Sequence, residues 1–196
     1  MALSLSKGQK ISLTKEGGAG LRRVAVGLGW GKKKGFLGLG SKDVDLDASC
    51  ILYDTRSEPV DAVWFGQLRS KEGSIVHTGD DRGGGGSESD ANEVITVDLP
   101  SVPAHVVSIV FVVNSYSGET FKGIPFAFCN VVDSATNKEI ARYNLQTDGG
   151  AHQGFVIARV CRRDGEWEFL AIGERCEGQQ QTIRDIEPQA RRFAQP

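Results

Sequence analysis

Apolar residues in this chain recur mostly at every second position, the period of a half-buried strand. Leu3, Leu5, Ile11 and Leu13 fall on odd positions among Ser, Lys, Gln and Thr, with a break at Gly8. Residues 23–30 predict a strand with Gly27 and Gly29 on one face, and a glycine face implies a bulge or close approach by another backbone. Residues 31–42, with Lys32, Lys33, Lys34 and several glycines, predict a mobile loop. Strands are predicted over 43–54, 60–65 and 94–99, and Pro100 and Pro103 then start a short turn. The β-branched run 106–114 predicts a central strand covered on both faces. Residues 126–132 and 139–145 flank a polar turn, and 154–162 and 167–172 flank Asp164-Gly165, a tight-hairpin signal. Only 181–193 predicts a helix, with Pro188 interrupting it. Many short strands with glycine-rich turns predict an all-β fold, a two-sheet antiparallel β-sandwich. A long acidic, Gly-rich loop would lie at one end, and a short helix would close the chain.

Composition narrows the function classes. A length of 196 residues suggests one domain with a real core. A net charge of −2 argues against a general nucleic-acid binder. No apolar run is long enough to span a bilayer, and the first residues lack the pattern of a signal peptide. Cys50, Cys129, Cys161 and Cys176 show no paired spacing, so reduced thiols in a cytoplasmic protein are the expectation. Three lysines at 32–34 are too few for firm electrostatic docking, and a solvated loop is the plainer reading.

Two acidic stretches carry the candidate chemistry. Asp43, Asp45 and Asp47 alternate with Val44 and Leu46, so an extended chain would put three carboxylates on one face. The second stretch, 77–93, holds Asp80, Asp81, Asp90 and Glu93 among five glycines. Carboxylates about 4 Å apart repel by about 4 kcal/mol at an effective dielectric of about 20. Raised pKa values, full hydration or a bound cation each answer that repulsion. Taken alone, 43–47 reads equally well as a solvated acidic run; the second cluster tips the reading towards a cation. Calcium suits it, taking about 6–8 oxygens in irregular geometry, and Gly83 to Gly86 let the backbone fold round an ion. Zinc would want His and Cys, and His77 stands alone at the border. An EF-hand is excluded, because Ala48 sits where its glycine should be and strands flank the run. A phosphate cradle is disfavoured because the glycines lack the Gly-Lys-Ser/Thr ending.

Several segments are familiar in order along almost the whole chain: Leu3-Ser4-Leu5-Ser6-Lys7-Gly8, Val26-Gly27-Leu28-Gly29-Trp30, Asp45-Leu46-Asp47-Ala48-Ser49 and His77-Thr78-Gly79-Asp80. Val112-Val113-Asn114-Ser115, Ala127-Phe128-Cys129 and Glu139-Ile140-Ala141-Arg142-Tyr143 follow. With these the chain resembles the TerD family of bacterial tellurite-resistance and stress-response proteins, and the 32–37 insertion and Cys50 suggest its TerZ-like branch. The resemblance implies a calcium-binding β-sandwich without known catalytic activity, tied to resistance to tellurite, phage and some colicins. It implies a cytoplasmic setting, or one peripheral to the inner membrane, and complexes with other stress-response proteins. Membrane contact would come through a partner or the Lys32–Lys34 loop. Asp45, Asp47 and Asp80 match the family's motifs, and Asp81 replaces its Asn. Two departures stand out: Gly31 where the family commonly has Asp, and a glycine-diluted loop in which Glu93 matches the family's ending and Asp90 aligns loosely. One calcium position anchored by Asp45, Asp47, Asp80 and Asp81 follows, with Asp43 a further candidate and a second position weak or missing.

Two rivals come from other classes. Clustered carboxylates also serve metal-dependent hydrolases, but His77, His105 and His152 are scattered and read as surface or packing residues. Thiol chemistry on tellurite would need reactive cysteines, and Cys50 and Cys129 lie in apolar strand-like runs. Trp30, Trp64 and Trp167 read as core.

Overall fold

In a computed structural model the described residues are 3–5, 8–12, 22–35, 40–122, 124–145, 150–177 and 183–195. Leu13 and the first two residues of the expected helix lie outside them. The strands are β1 (Leu3–Leu5), β2 (Lys10–Ser12), β3 (Arg23–Trp30), β4 (Lys33–Lys34), β5 (Ser41–Lys42), β6 (Leu46–Tyr53) and β7 (Pro59–Val63). They continue as β8 (Ile75–His77), β9 (Glu93–Asp98), β10 (Ser108–Ser115), β11 (Ala127–Asp133), β12 (Lys138–Asn144), β13 (Gly154–Arg163) and β14 (Glu166–Cys176). The helix α1 (Ile183–Ala190) follows, tightening into a 3₁₀ turn over Arg191–Phe193.

Two six-stranded sheets form, in the orders β1-β12-β11-β3-β9-β8 and β2-β14-β13-β10-β6-β7. β1 joins β12 in parallel; the other ladders described are antiparallel. One buried cluster draws on both sheets, including Leu28, Trp30 and Val131 from the first and Leu46, Phe111, Phe155 and Phe169 from the second. That shared core makes the molecule a β-sandwich. Burying each such large apolar side chain stabilises by roughly 1.5–3 kcal/mol. The Asp164-Gly165 hairpin forms as expected, with φ of 52° and 81° at the two turn residues.

Two expectations change. Residues 31–42 are more ordered than a loop: β4 and β5 pair as a short ribbon, with 36–39 outside the described residues. Glu119 accepts from Lys33 and Lys42 beside it. Pro188 does not stop the helix, which runs through it to Ala190. The helix presses Ile183, Ile186 and Ala190 onto Ile51, Tyr53, Val110, Val112 and Val156. Burial on that outer face makes β6 and β10 two-sided, so every residue of each is buried.

The glycine face of β3 has the cause its sequence suggests. Asn92 N–H donates to the Leu28 carbonyl at 2.9 Å, which draws the end of the acidic loop across β3. A Cβ on Gly27 would lie 2.9 Å from the Ala91 Cβ, and one on Gly29 would meet the Phe128 ring and come within 2.7 Å of the Asp90 carbonyl oxygen. Gly29→Ala is therefore expected to destabilise by about 1–3 kcal/mol, as overpacking does. A urea titration should show a lower midpoint with an unchanged slope.

Candidate metal centre

The two acidic stretches meet where β6 begins and the loop between β8 and β9 returns. Val44 and Leu46 point into the core as the alternation predicts. The strand starts only at Leu46, so Asp43 and Asp45 precede it. The Tyr116 N–H donates to the Asp45 carbonyl at 2.9 Å, and the indole N–H of Trp30 donates to the Val44 carbonyl at 2.8 Å. These bonds turn the Asp45 and Asp47 side chains to a common point, and Asp80 reaches it from the loop. Carboxylate oxygens of Asp45, Asp47 and Asp80 lie within 4.8 Å of one another, a spacing at which each pair of charges repels by about 3–4 kcal/mol at an effective dielectric of about 20. Among the described residues this is the one such group of potential metal ligands.

Burial sharpens the conflict. Asp47 is only 2% exposed, and its partner at Oδ2 is the Asn114 side-chain amide at 3.1 Å. Burial first, and then the charges of Asp45, Glu93 and Asp80, push its carboxyl up to about 8. Burial and the charges of Asp80, Glu93 and Asp81 raise Asp45, and one of its oxygens is buried without a hydrogen-bond partner. Asp80 is exposed and accepts from Arg82 Nε at 3.0 Å.

The other predicted residues sit in different roles. Asp81 turns into its own loop: Oδ1 accepts from the Gly83 and Gly84 N–H groups at 2.9 and 3.0 Å, and Oδ2 from Asn92 Nδ2 at 3.1 Å. Burial would raise its carboxyl, but those donors outweigh it and hold it below the usual range. Asp43 is mostly exposed and pairs with Lys32 at 2.7 Å. Asp90 accepts from the Ser87 and Ser89 hydroxyls at 2.9 and 3.3 Å. Glu93 is fully buried on the inward face of β9.

Glu93 belongs to a clamp that sequence reading missed. β7 stops pairing with β6 at Cys50↔Val63, leaving both backbone groups of Ala48 beyond the end of that ladder. Glu93 Oε2 accepts from Ala48 N–H at 2.6 Å, and Oε1 accepts from Asp81 N–H at 3.1 Å. His77 Nε2 donates to the Ala48 carbonyl at 3.1 Å while its Nδ1 accepts from Gly79 N–H at 3.0 Å, which places the ring proton on Nε2. The residue after Asp47 is thus tied to the residues on both sides of Asp80. A lone His beside an acidic loop carried no sign of this, since its partners are backbone groups. Asn114 was findable as the polar residue in an apolar strand.

The cysteines lie away from this chemistry. All four are free and buried, and burial pushes their thiols up, Cys129 to about 12 and Cys176 to about 11.

Two outcomes follow. The folded Asp47 holds its proton more tightly than an unfolded chain with an ordinary value of 3.8, and loses it only near pH 8. Its contribution to stability is fully present below about pH 4 and is lost as pH rises through about 8. Metal-free protein should melt progressively higher on acidification from pH 8 to 5, and Asp47→Asn should flatten that slope. The lowered carboxylates, among them Asp61, Asp81 and Glu139, act below this window. Separately, His77→Ala strands the Ala48 carbonyl and Gly79 N–H, and a denaturant titration should show a loss of about 2–4 kcal/mol.

Comparison with known proteins gives the chain its family. The TerD domain family model matches residues 1–186. The Tellurium resistance protein TerZ of Serratia marcescens is 45% identical over 189 residues, 94% of each chain. The Stress response protein SCP2 of Bacillus subtilis (strain 168) is 38% identical over 187 residues, 89% of this chain and 92% of its own. A crystal structure of a homologue of telluride resistance protein TerD from Streptomyces coelicolor A3(2) superposes with a TM-score of 0.70 at 21% identity, covering 90% of this chain and all of that one, and so shares the fold. On the family model and these identities, the chain belongs to the TerD family and is TerZ-like within it.

Proposed function

We propose that the chain is a non-enzymatic calcium-binding module of a bacterial tellurium-resistance and stress-response system, working in the cytoplasm through complexes with other proteins. The observation that carries this is the convergence of Asp45, Asp47 and Asp80 with Asp47 buried. A protein that holds three carboxylates so close, one of them out of water, bears a cost that a divalent cation removes. The donors are all oxygen, and the one nearby histidine has both ring nitrogens engaged, so the set suits a hard cation better than zinc. Calcium tolerates this irregular set; magnesium wants near-ideal octahedral geometry and gives up its waters reluctantly. Asp81, Asp43 and Asp90 spend their oxygens on other partners, which supports one firm position rather than two.

The same geometry supports binding without catalysis. His77 is locked to backbone, and His152 Nε2 lies 3.5 Å from Glu177 at the surface, so neither is poised over the cluster as a base. Buried thiols with raised pKa support no direct thiol chemistry on tellurite. Among the described residues no helix is long and apolar enough to cross a membrane. Lys32 and Lys33 pair with the molecule's own carboxylates, which favours reaching a membrane through a partner.

Stripping with chelator and adding calcium back to 100 times its dissociation constant should stabilise by about 2.7 kcal/mol. For a chain of this length that is a melting shift of about 5–10 °C. Magnesium should give less, and Asp47→Asn should abolish the calcium shift. An unchanged melting temperature in millimolar calcium sinks the proposal.

A further inference from the structure

Above the three carboxylates lies a cavity of about 130 Å³ lined by Asp45, Asp47, Asp80, Phe65, Arg82 and Tyr116. We infer that this cavity binds a small oxyanion, a carboxylate- or phosphate-type group, held between the bound cation and Arg82. The inference rests on the calcium reading and names what completes that site.

Four features lead to it. First, the space exceeds what an ion with one water needs, since a water requires about 10–15 Å³. Second, the three carboxylates alone do not fill a calcium shell. Asp47 Oδ2 is taken by Asn114 and Asp80 Oδ2 by Arg82, so the three carboxylates offer about four of the 6–8 oxygens calcium takes. Third, a divalent cation and Arg82 together cancel the charge of the three carboxylates, so an anion can enter a neutral site beside two positive centres. Arg82 is 82% exposed at its side chain, and its bond to Asp80 runs through Nε, leaving the guanidinium edge for a ligand. That planar edge matches carboxylate and phosphate oxygens. Fourth, part of the lining is aromatic. Phe65 and Tyr116 meet edge to face with centroids 5.6 Å apart, and Tyr116 is a large side chain left 48% exposed. Its backbone N–H is tied to the Asp45 carbonyl, so this wall moves with the cation ligands. A neutral oxygen donor would fill the coordination sphere without using Arg82; an oxyanion uses both.

The test is calorimetric titration of inorganic phosphate, kept below calcium phosphate precipitation, into calcium-loaded protein. Saturable one-to-one binding is expected, absent after chelation. Arg82→Gln should weaken phosphate about tenfold or more, the size expected for a hydrogen bond between charged groups, while calcium still binds. Phosphate binding with calcium removed, or unchanged in Arg82→Gln, overturns the inference. So does calcium binding with no phosphate binding, which leaves the calcium reading standing. A protein whose melting temperature does not respond to calcium overturns both. Vesicles of phosphatidic acid in phosphatidylcholine form a second arm. Capture that free phosphate competes away assigns the site to a headgroup, and phosphate binding without capture assigns it to free oxyanions; either upholds the inference.

Discussion

The buried carboxylate of Glu93 is the joint on which the functional end of this molecule depends. It stands on the inward face of β9 in the first sheet and accepts from Ala48 N–H on β6 of the second. Its other oxygen accepts from Asp81 N–H in the acidic loop. A carboxylate out of water needs such donors, because burying an unpaired charge costs more than a fold of this size can spare. The donors are backbone groups beyond the end of a strand ladder, which would themselves be orphaned without it. Each side of the contact removes a penalty from the other, so the joint is stiff. His77 repeats the arrangement with a ring in place of a carboxylate, linking the Ala48 carbonyl to Gly79 N–H.

That stiffness explains why three mutually repelling carboxylates stay together. Asp47 on β6 and Asp80 on a loop would separate by a small backbone shift if nothing opposed it. The clamp grips the residue after Asp47 and the residues flanking Asp80, so the repulsion cannot relax through the backbone. With burial, the larger cause, it raises the pKa of both Asp47 and Asp45.

Much of this was legible in the sequence, and what was not shares one cause. The alternation around Val44 and Leu46, the two-sided run of β10, the glycine face of β3 and the Asp164-Gly165 turn all follow from side-chain period and backbone sterics. The family motifs singled out Asp45, Asp47 and Asp80, which the fold brings together. Asp43 belonged to the same strand pattern, yet β6 begins after it and Lys32 draws its side chain away. The roles of Glu93, His77 and Asp81 depend on backbone N–H and C=O groups supplied by distant residues. Composition and spacing carry no record of where a ladder ends, so those roles appear only once the strands are paired.

The loop's glycines show how one composition can support two opposite readings. Diluting an acidic loop with glycine reads as a trade of carboxylates for flexibility, since glycine loses more conformational entropy on ordering. The structure gives these glycines a structural job. Gly84, Gly85 and Gly86 adopt φ of 64°, 113° and 81°, values a side chain would strain. Gly85 N–H donates to the Trp30 carbonyl at 3.0 Å, its own carbonyl accepts from Asn92 Nδ2 at 3.2 Å, and Gly84 lies so close on the Trp30 indole that a Cβ would overlap it. Asp81 is the other anchor, and its oxygens are consumed in holding Gly83 and Gly84. Loop order and extra metal ligands therefore compete for the same carboxylate. This chain uses Asp81 for order, leaving the charge that can meet a cation to Asp45, Asp47 and Asp80.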